Sequence, residues 1–410
     1  MKIAFFSDCY LDLTGGIVSS INAQKAELEK RGHTVYIFSS GYPKSADKLN
    51  ALASQNIFQV PSCRLCFRGL TPVSRRPRIV EKWLVKNHPE IQDFDVFYSH
   101  YESGCCIAGL RLAKKFNIPT IQVMHGREDM GENNLIPFGF RTIVATLLNW
   151  FHSWYLPHSV KVSRDNYLAN TIAKTKMWTM MVNHANYADL ILTPSNHFRE
   201  KLIHYGVKKE IRAFPNGYAD KNFPKNPSVR TLAPEEPLKI IWHSRVSGEK
   251  RIMPFLKALT QLKNKYFLDV YGDGPDRLKA EQYAKLHHLK VKFHGDVKFE
   301  EFKDAISKAH LDVLTSYNYD TFGMTLIEAE AYGTPVFFCD PDMQEVVPRG
   351  SFVLSASENS EDMAKALDDL LAHPERIEQM SKIMFEHRDE VLISRRIKIL
   401  EKAFGDIIKK

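Results

Sequence analysis

Two carboxylates, Asp320 and Glu328, stand eight positions apart in the run Thr315-Ser-Tyr-Asn-Tyr-Asp-Thr-Phe-Gly-Met-Thr-Leu-Ile-Glu-Ala-Glu-Ala-Tyr-Gly-Thr-Pro-Val336. The run follows an apolar segment at 311–314, and from Met324 onward Leu326, Ile327, Ala331 and Tyr332 keep helical spacing. This pattern predicts a strand, a loop containing Gly323, and a helix that begins there. Backbone N–H groups at a helix start lack partners and are electropositive, which suits a diphosphate. Glu328 lies near enough to that start to turn its carboxylate toward the same place. A carboxylate accepts two hydrogen bonds at once and so matches the paired hydroxyls of a ribose. The plain alternative is a helix with merely solvated acids. Glu330, rotated two positions away from Glu328, is expected to be such a residue.

Other groups have the right chemistry to accompany these acids. Arg245 and Lys250 follow the apolar run 238–244, where two cations can neutralise a diphosphate as charge builds on it. Lone basic residues are usually surface residues, but this spacing after a strand favours binding. His125 ends the run 120–125 and precedes Gly126; most lone histidines are structural, yet at a strand's carboxyl end one can bond a sugar hydroxyl. Gly15-Gly16 lets backbone approach a phosphate closely, a weak signal alone because many loops are glycine-rich.

The elements that must position these groups come in two series. The first half reads as strand 2–7, a glycine loop from Leu13 to Gly16, helix 17–30 ended by Gly32, and strand 33–40. Further strands are expected at 95–99, 120–125 and 190–194. Pro215, Pro224, Pro227, Pro234 and Pro237 then punctuate a polar stretch, a linker signature. A second series follows, with strands at 238–244, 267–272, 291–295, 311–316 and 335–339. Residues 395–410 read as one amphipathic helix. Strands alternating with helices imply parallel sheets, so the expected fold is α/β, with two doubly wound domains across a cleft. The expected boundaries are 1–215, 216–392, and a final helix at 393–410 returning to the first domain. At 410 residues two domains are the natural expectation.

No run of eighteen apolar residues occurs, and Asp8 and Asp12 follow the short apolar start, so neither a spanning helix nor a signal peptide is expected. The six cysteines lack framework spacing, and Cys63-x-x-Cys66 has no second pair to complete a zinc site. Reduced thiols, no metal and a cytoplasmic location are therefore expected.

The acid, seven residues and Glu, with Phe-Gly between and Glu-Ala-x-Ala-x-Gly-x-Pro-Val at the end, resembles the signature of retaining glycosyltransferase family 4. Ser244-Arg-Val-x-x-x-Lys250 is similar to that family's Gly-Arg-Leu-x-x-x-Lys segment, and Gly272-Asp-Gly-Pro275 to its Gly-x-Gly-Pro turn. The resemblance implies the GT-B fold, with two Rossmann-like domains and the nucleotide held mainly by the second. It implies that Glu328 binds the ribose and that Asp320, one methylene shorter than the usual Glu, lies against the transferred sugar. Thr321, Phe322, Gly323, Met324 and Thr325 would contact sugar and phosphate, with Gly272, Gly15 and Gly16 lining the nucleotide-sugar site. His125 matches a histidine common in the family. The reaction implied is a same-face transfer in which the departing phosphate takes the acceptor's proton, without metal or cofactor; the nucleotide sugar is a co-substrate, and UDP-glucose is the family's default donor.

For the acceptor the signal is physical. Residues 1–215 carry 27 Lys and Arg against 17 Asp and Glu, while the remainder carries 29 against 31. Within 64–86, Arg64, Arg68, Arg75, Arg76, Arg78, Lys82 and Lys86 accompany a single acid, Glu81. Arg75, Arg78, Lys82 and Lys86 are spaced as one helical face, with Phe67, Ile79 and Trp83 as apolar anchors. Trp150, Phe151, Trp154 and Tyr155 add aromatics, while Leu147 and Leu148 suit either core or surface. A basic face with an aromatic edge fits an anionic membrane; a solvated charged face is the alternative. No nucleic-acid motif accompanies the charge. Three activities follow: transfer of a hexose to a lipid such as diacylglycerol at the inner membrane face, transfer to teichoic acid or another envelope polymer, and epimerisation of a nucleotide sugar. The linear acid-to-Glu signature speaks against the last.

Overall fold

The computed structural model describes the chain outside residues 9–10, 12–14, 42–43, 64–73, 130–135, 137, 234, 264 and 410. It divides into two compact units, one of residues 1–215 with 396–410 and the other of residues 216–395.

The first unit runs β1 (Lys2–Ser7), α1 (Gly16–Lys30), β2 (Thr34–Ser39), α2 (Ala46–Ala53), β3 (Ile57–Gln59), α3 (Pro77–Asn87), β4 (Val96–Ser99) and α4 (Gly104–Phe116). It continues through β5 (Thr120–Val123), α5 (Arg141–Ser153), α6 (Ile172–Tyr187), β6 (Leu190–Thr193), α7 (Asn196–His204) and β7 (Ile211–Ala213). Its strands form one sheet in the order β3-β2-β1-β4-β5-β6-β7, and every pair is parallel. Parallel strands covered by helices on both faces lose their alternation. That is why Ile3, Ala4, Phe5 and Phe6 are all buried. Strand order reverses between β1 and β4, so their carboxyl ends open the crevice where doubly wound sheets hold ligands.

The second unit runs β8 (Leu238–His243), α8 (Ile252–Leu259), β9 (Tyr266–Tyr271), α9 (Arg277–Leu286), β10 (Val291–Gly295), α10 (Phe299–Lys308) and β11 (Leu311–Leu314). It continues through α11 (Met324–Tyr332), β12 (Val336–Phe338), β13 (Phe352–Leu354), α12 (Ser360–Ala372) and α13 (Glu375–His387). The sheet order is β10-β9-β8-β11-β12-β13, again parallel throughout. The switch here lies between β8 and β11. The last helix, α14 (Ile393–Ile408), opens in the second unit, and from Arg396 its residues belong to the first. There Phe404 packs edge-on against Tyr98, while Glu401 bonds Arg31 and His33. The fold is thus α/β with two Rossmann-like parallel-sheet domains. Among the described residues no helix is long and apolar enough to cross a membrane.

The first unit buries an unusual set of histidines. His158 Nε2 lies 2.8 Å from His152 Nδ1, His152 Nε2 lies 3.0 Å from His184 Nδ1, and His184 Nε2 lies 3.0 Å from Gln122 Oε1. The Gln122 amide nitrogen donates to the carbonyls of Tyr101 and Val123, so its oxygen faces His184. His184 must then donate from Nε2, and each ring behind it does the same, which fixes three tautomers. Burial pushes both His184 and His125 down to about 3, and holds His152 and His100 well below their ordinary range. An unfolded histidine gains its proton below about pH 6.5, a proton the folded state refuses, so stability falls with pH from there toward about 3. At pH 5 His125 and His184 should each cost about 2 kcal/mol. Thermal melts followed by tryptophan fluorescence, to which the first unit contributes Trp83, Trp150, Trp154 and Trp178, should show a steep loss of midpoint between pH 7 and 5. A flat profile would contradict the buried neutral histidines.

Candidate functional site

The loop between β11 and α11 is built around Gly323. Its φ of +70° is left-handed, and a Cβ there would press on Leu314 and Leu326 at 3.0 and 3.3 Å, so a side chain fits neither the backbone nor the space. Helix α11 starts at Met324 without a side-chain cap. Thr321 and Phe322 are buried, Met324 and Thr325 half-buried, and the Thr325 hydroxyl oxygen has no hydrogen-bond partner. Phe322 belongs to the apolar core with Leu314, Leu326 and Ile327. Its ring therefore anchors the loop, and what it can offer a ligand is its backbone.

Lys250 and Asp320, from different loops, meet. The Lys250 ammonium lies 2.7 and 2.9 Å from the two Asp320 oxygens, and Ser316 Oγ also donates to that carboxylate. Thr315 Oγ1 donates to the Lys250 carbonyl at 2.7 Å and ties the two loops together. Arg245, on the same loop as Lys250, is exposed. That loop is held by Gly272 and Gly274. A Cβ on Gly272, at φ +116°, would stand 2.1 Å from the Ser244 carbonyl oxygen, and one on Gly274 would stand 2.3 Å from that of Val246. Gly272 is thus demanded by backbone crowding at the Arg245 loop. Gly15 differs: its φ of 170° is ordinary extended backbone, and a Cβ would meet nothing within 4 Å. Gly15 and Gly16 are both exposed at the start of α1.

Glu328 sits in the second turn of α11, a quarter of its side chain accessible. Behind it stands His243, which the pattern reading did not single out. Its Nδ1 lies 3.4 Å from Glu328 Oε2 and its Nε2 lies 2.9 Å from Asp312 Oδ2. Glu330 corrects the expectation of a solvated acid, because it is only 3% exposed. Helix α11 packs against β11, α10 and α13, which leaves no broad solvent face for that acid.

In the first unit His125 follows β5 and is buried. Its Nε2 lies 2.9 Å from His100 Nδ1, and the two rings stack at 5.2 Å. Two positions after His100, Glu102 is also buried, with Oε1 lacking a partner. Burial, with the charges of Glu128 and Asp8, holds its pKa well above the usual carboxylate range. Neither His100 nor Glu102 stood out in the sequence; only their place just past β4, beside the switch point, marks them.

The basic segment is rearranged from expectation. Pro77 occupies the first position of α3, where its missing N–H costs nothing, so the helix begins after Arg75 and Arg76. Arg75 therefore lies outside the helical face carrying Arg78, Lys82 and Lys86, although all four are exposed. Trp83 is no outward anchor: it packs against the core with Phe58 and Tyr101, 5.2 Å from the His88 ring. Arg64, Cys66, Phe67 and Arg68 lie outside the described residues. On α5 the outcome runs the other way. Phe140, Ile143, Leu147, Leu148, Trp150 and Trp154 are 42–61% exposed, so Leu147 and Leu148 are surface residues. Positions 143, 147, 150 and 154 form one stripe, with Trp150 and Trp154 rings 4.1 Å apart.

The two glycines give a direct test. Gly272→Ala should lose about 2–4 kcal/mol through crowding and strain, read as a fall in the urea midpoint. Gly15→Ala should leave that midpoint unchanged. Equal effects would break the distinction between a glycine required by its neighbours and one that is not.

Comparison with known proteins follows the same division. The profile for Glycosyltransferase Family 4 matches residues 14–221, half of the chain, and that for Glycosyl transferases group 1 matches residues 226–386. The alpha-monoglucosyldiacylglycerol synthase of Streptococcus pneumoniae is 24% identical over 82% of this chain and 70% of its own length. The protein of the same name from Acholeplasma laidlawii is 24% identical over 93% of this chain and 91% of its own. Among solved structures, Anabaena HepE in complex with UDP superposes with a TM-score of 0.70 at 15% identity, covering 99% of this chain and all of that one. With parallel-sheet Rossmann-like domains of the GT-B type in both units, the chain belongs to glycosyltransferase family 4 and is a glycosyltransferase.

Proposed function

We propose that this glycosyltransferase moves a hexosyl group, glucose from UDP-glucose in the first instance, with retention of configuration to a lipid acceptor such as diacylglycerol at the inner face of the cell membrane. The observation that carries the lipid reading is the exposed apolar stripe of α5, in the half of the chain that holds all the excess positive charge. Large exposed apolar side chains in a helical row, within a basic domain, suit the headgroup–acyl boundary of an anionic bilayer. The relatives that align along most of the chain bear the name of lipid glucosyltransferases, which supports the same acceptor. The UDP complex of HepE supports the nucleotide.

In this reading the bond between the anomeric carbon and the diphosphate breaks while the acceptor hydroxyl bonds that carbon on the same face. The hydroxyl's proton passes to the departing phosphate oxygen. Arg245, Lys250 and the start of α11 stabilise the charge on the leaving group, with no metal or cofactor taking a step. Each charge-assisted hydrogen bond is worth about 1.5–3 kcal/mol. Glu328 holds the ribose. Asp320, held in place by Lys250 and Ser316, lies against the transferred sugar. His125, neutral across the working range, bonds a sugar hydroxyl.

Labelled nucleotide sugars offered to diacylglycerol in anionic vesicles and to soluble polymer acceptors test the assignment. Labelled glycolipid is the expected product. Label on a teichoic-acid polymer would move the acceptor, and conversion of the nucleotide sugar without any acceptor would replace transfer by epimerisation. Glu328→Ala should weaken nucleotide-sugar binding roughly tenfold or more with the fold intact. Replacing Ile143, Leu147, Trp150 and Trp154 by serine should reduce flotation with phosphatidylglycerol vesicles by roughly two orders of magnitude or more. Undiminished flotation would remove the membrane from the reading.

A further inference from the structure

His243 is the last residue of β8 and is buried between two acids on different elements. Asp312, on β11, is 1% exposed and lies 2.9 Å from His243 Nε2. Glu328, on α11, lies 3.4 Å from Nδ1. A neutral imidazole has one N–H and one bare nitrogen. With its N–H given to Asp312, the bare Nδ1 would face a carboxylate, lone pair against negative charge. The contact is favourable only with a proton between Nδ1 and Oε2, carried by the ring or by the acid. One proton is thus shared by His243 and Glu328, and Asp312 fixes the ring that shares it.

We propose that His243 is a positioning residue that, anchored on Asp312, holds the Glu328 carboxylate in the orientation needed to accept the two hydroxyls of a ribose. The inference rests on the reading of Glu328 as the ribose ligand and adds the group that aims it. A valine or leucine at the end of β8 would pack equally well in a buried strand, so packing alone does not call for a histidine there.

The groups around the ring set the direction of its pH dependence. Burial opposes a charge on His243, but Asp312 and Glu328 hold its pKa above the ordinary histidine value against the ammonium of Lys250. Tyr271, in register with His243 on β9, is pushed by burial up to about 12 and stays uncharged. Phe302 of α10 covers the ring at 4.6 Å. Burial and Asp312 also hold Glu328 above the usual carboxylate range, against the pull of His243. As pH rises through the raised His243 pKa, the shared proton leaves, and attraction at Glu328 turns to repulsion. As pH falls through the raised Glu328 pKa, the acid loses its capacity to accept from both hydroxyls. Recognition of the ribose should therefore peak between the two and decline on the alkaline side.

The test is calorimetric binding of UDP and of 2′,3′-dideoxy-UDP, the ratio of the two affinities reading the ribose hydroxyls alone. Wild-type protein should favour UDP roughly tenfold or more, and the ratio should fall as pH is raised from 6.5 to 9. His243→Gln keeps an amide donor for Asp312 but cannot share a proton with Glu328. It should lose most of the preference and all of its pH dependence. Glu328→Gln should lose the preference as well. If Glu328→Gln loses it and His243→Gln keeps both preference and pH dependence, the role of His243 is overturned and that of Glu328 stands. If Glu328→Gln also keeps it, both fall. A wild-type ratio flat with pH overturns the shared proton without recourse to any variant.

Discussion

The chemistry of the second unit hangs on the parallel pairing of β8 with β11, with Ile240 opposite Leu311 and Ile241 opposite Asp312. Parallel strands leave the sheet at the same edge, so the loops that follow them rise side by side. From this one register come the two charge pairings of the site. Within the strands, Asp312 stands beside His243. Above them, the β8 loop brings Lys250 to the Asp320 of the β11 loop. A shift of either strand by one residue would put Asp312 and His243 on opposite faces of the sheet and break the first pairing. The glycines guard the same register from outside: Gly272 and Gly274 let the β9 loop press against the Ser244 and Val246 carbonyls, and Gly323 lets the chain turn into α11 over Leu314.

Both units bury an ion pair, Arg127 with Asp129 in the first and His243 with Asp312 in the second, but they differ in how they treat their other buried polar groups. In the first, histidines are kept neutral and relay hydrogen bonds in one direction from His158 to Gln122, so this relay brings no charge into the interior. The only cost is paid in acid, when those rings would take protons. In the second, groups of opposite charge are paired, Asp312 with His243 in the interior and Asp320 with Lys250 half-buried. Paired buried charges tolerate no loss of a partner, because the survivor is left desolvated. A neutral relay adds no field of its own, whereas an ion pair such as Lys250 with Asp320 is open to exchange, since an anion can replace a carboxylate at a lysine.

How much of this could be read from sequence depended on whether the signal was local. The alternation of apolar runs with helical spacing showed both parallel sheets, because strands buried on both faces are near-continuous apolar runs, such as Ile3 to Phe6. Where strand ends differed they did so by one or two residues, as at 120–125 against Thr120–Val123, since the last apolar residue is not the last one hydrogen-bonded in the ladder. The acids and cations of the candidate site were visible as residues after strands, but their pairing was not. Lys250 and Asp320 are seventy residues apart, and nothing local says that one ends against the other. His243 was invisible for a sharper reason: in the run Ile-Ile-Trp-His it occupies an ordinary strand position, and only Asp312 and Glu328, supplied by other elements, give it a role.

Helix α5 shows the same limit from the side of the surface. Its spacing, with Ile143, Leu147, Trp150 and Trp154 on one stripe, is that of any helix with a buried face, and periodicity states only that the stripe wants to leave water. What covers it is decided by the neighbours. Helix α6 takes the opposite side, where Ala145 packs with Ala173, Met177 and Met180 and the buried His152 bonds His184. With the polar relay on the inside, the apolar stripe is turned out. An inner face that is part apolar cluster and part polar relay thus claims one side of the helix and leaves the larger apolar side chains outside. The acceptor question turns on that stripe, because large apolar side chains held in a row at the surface are where an apolar partner would act.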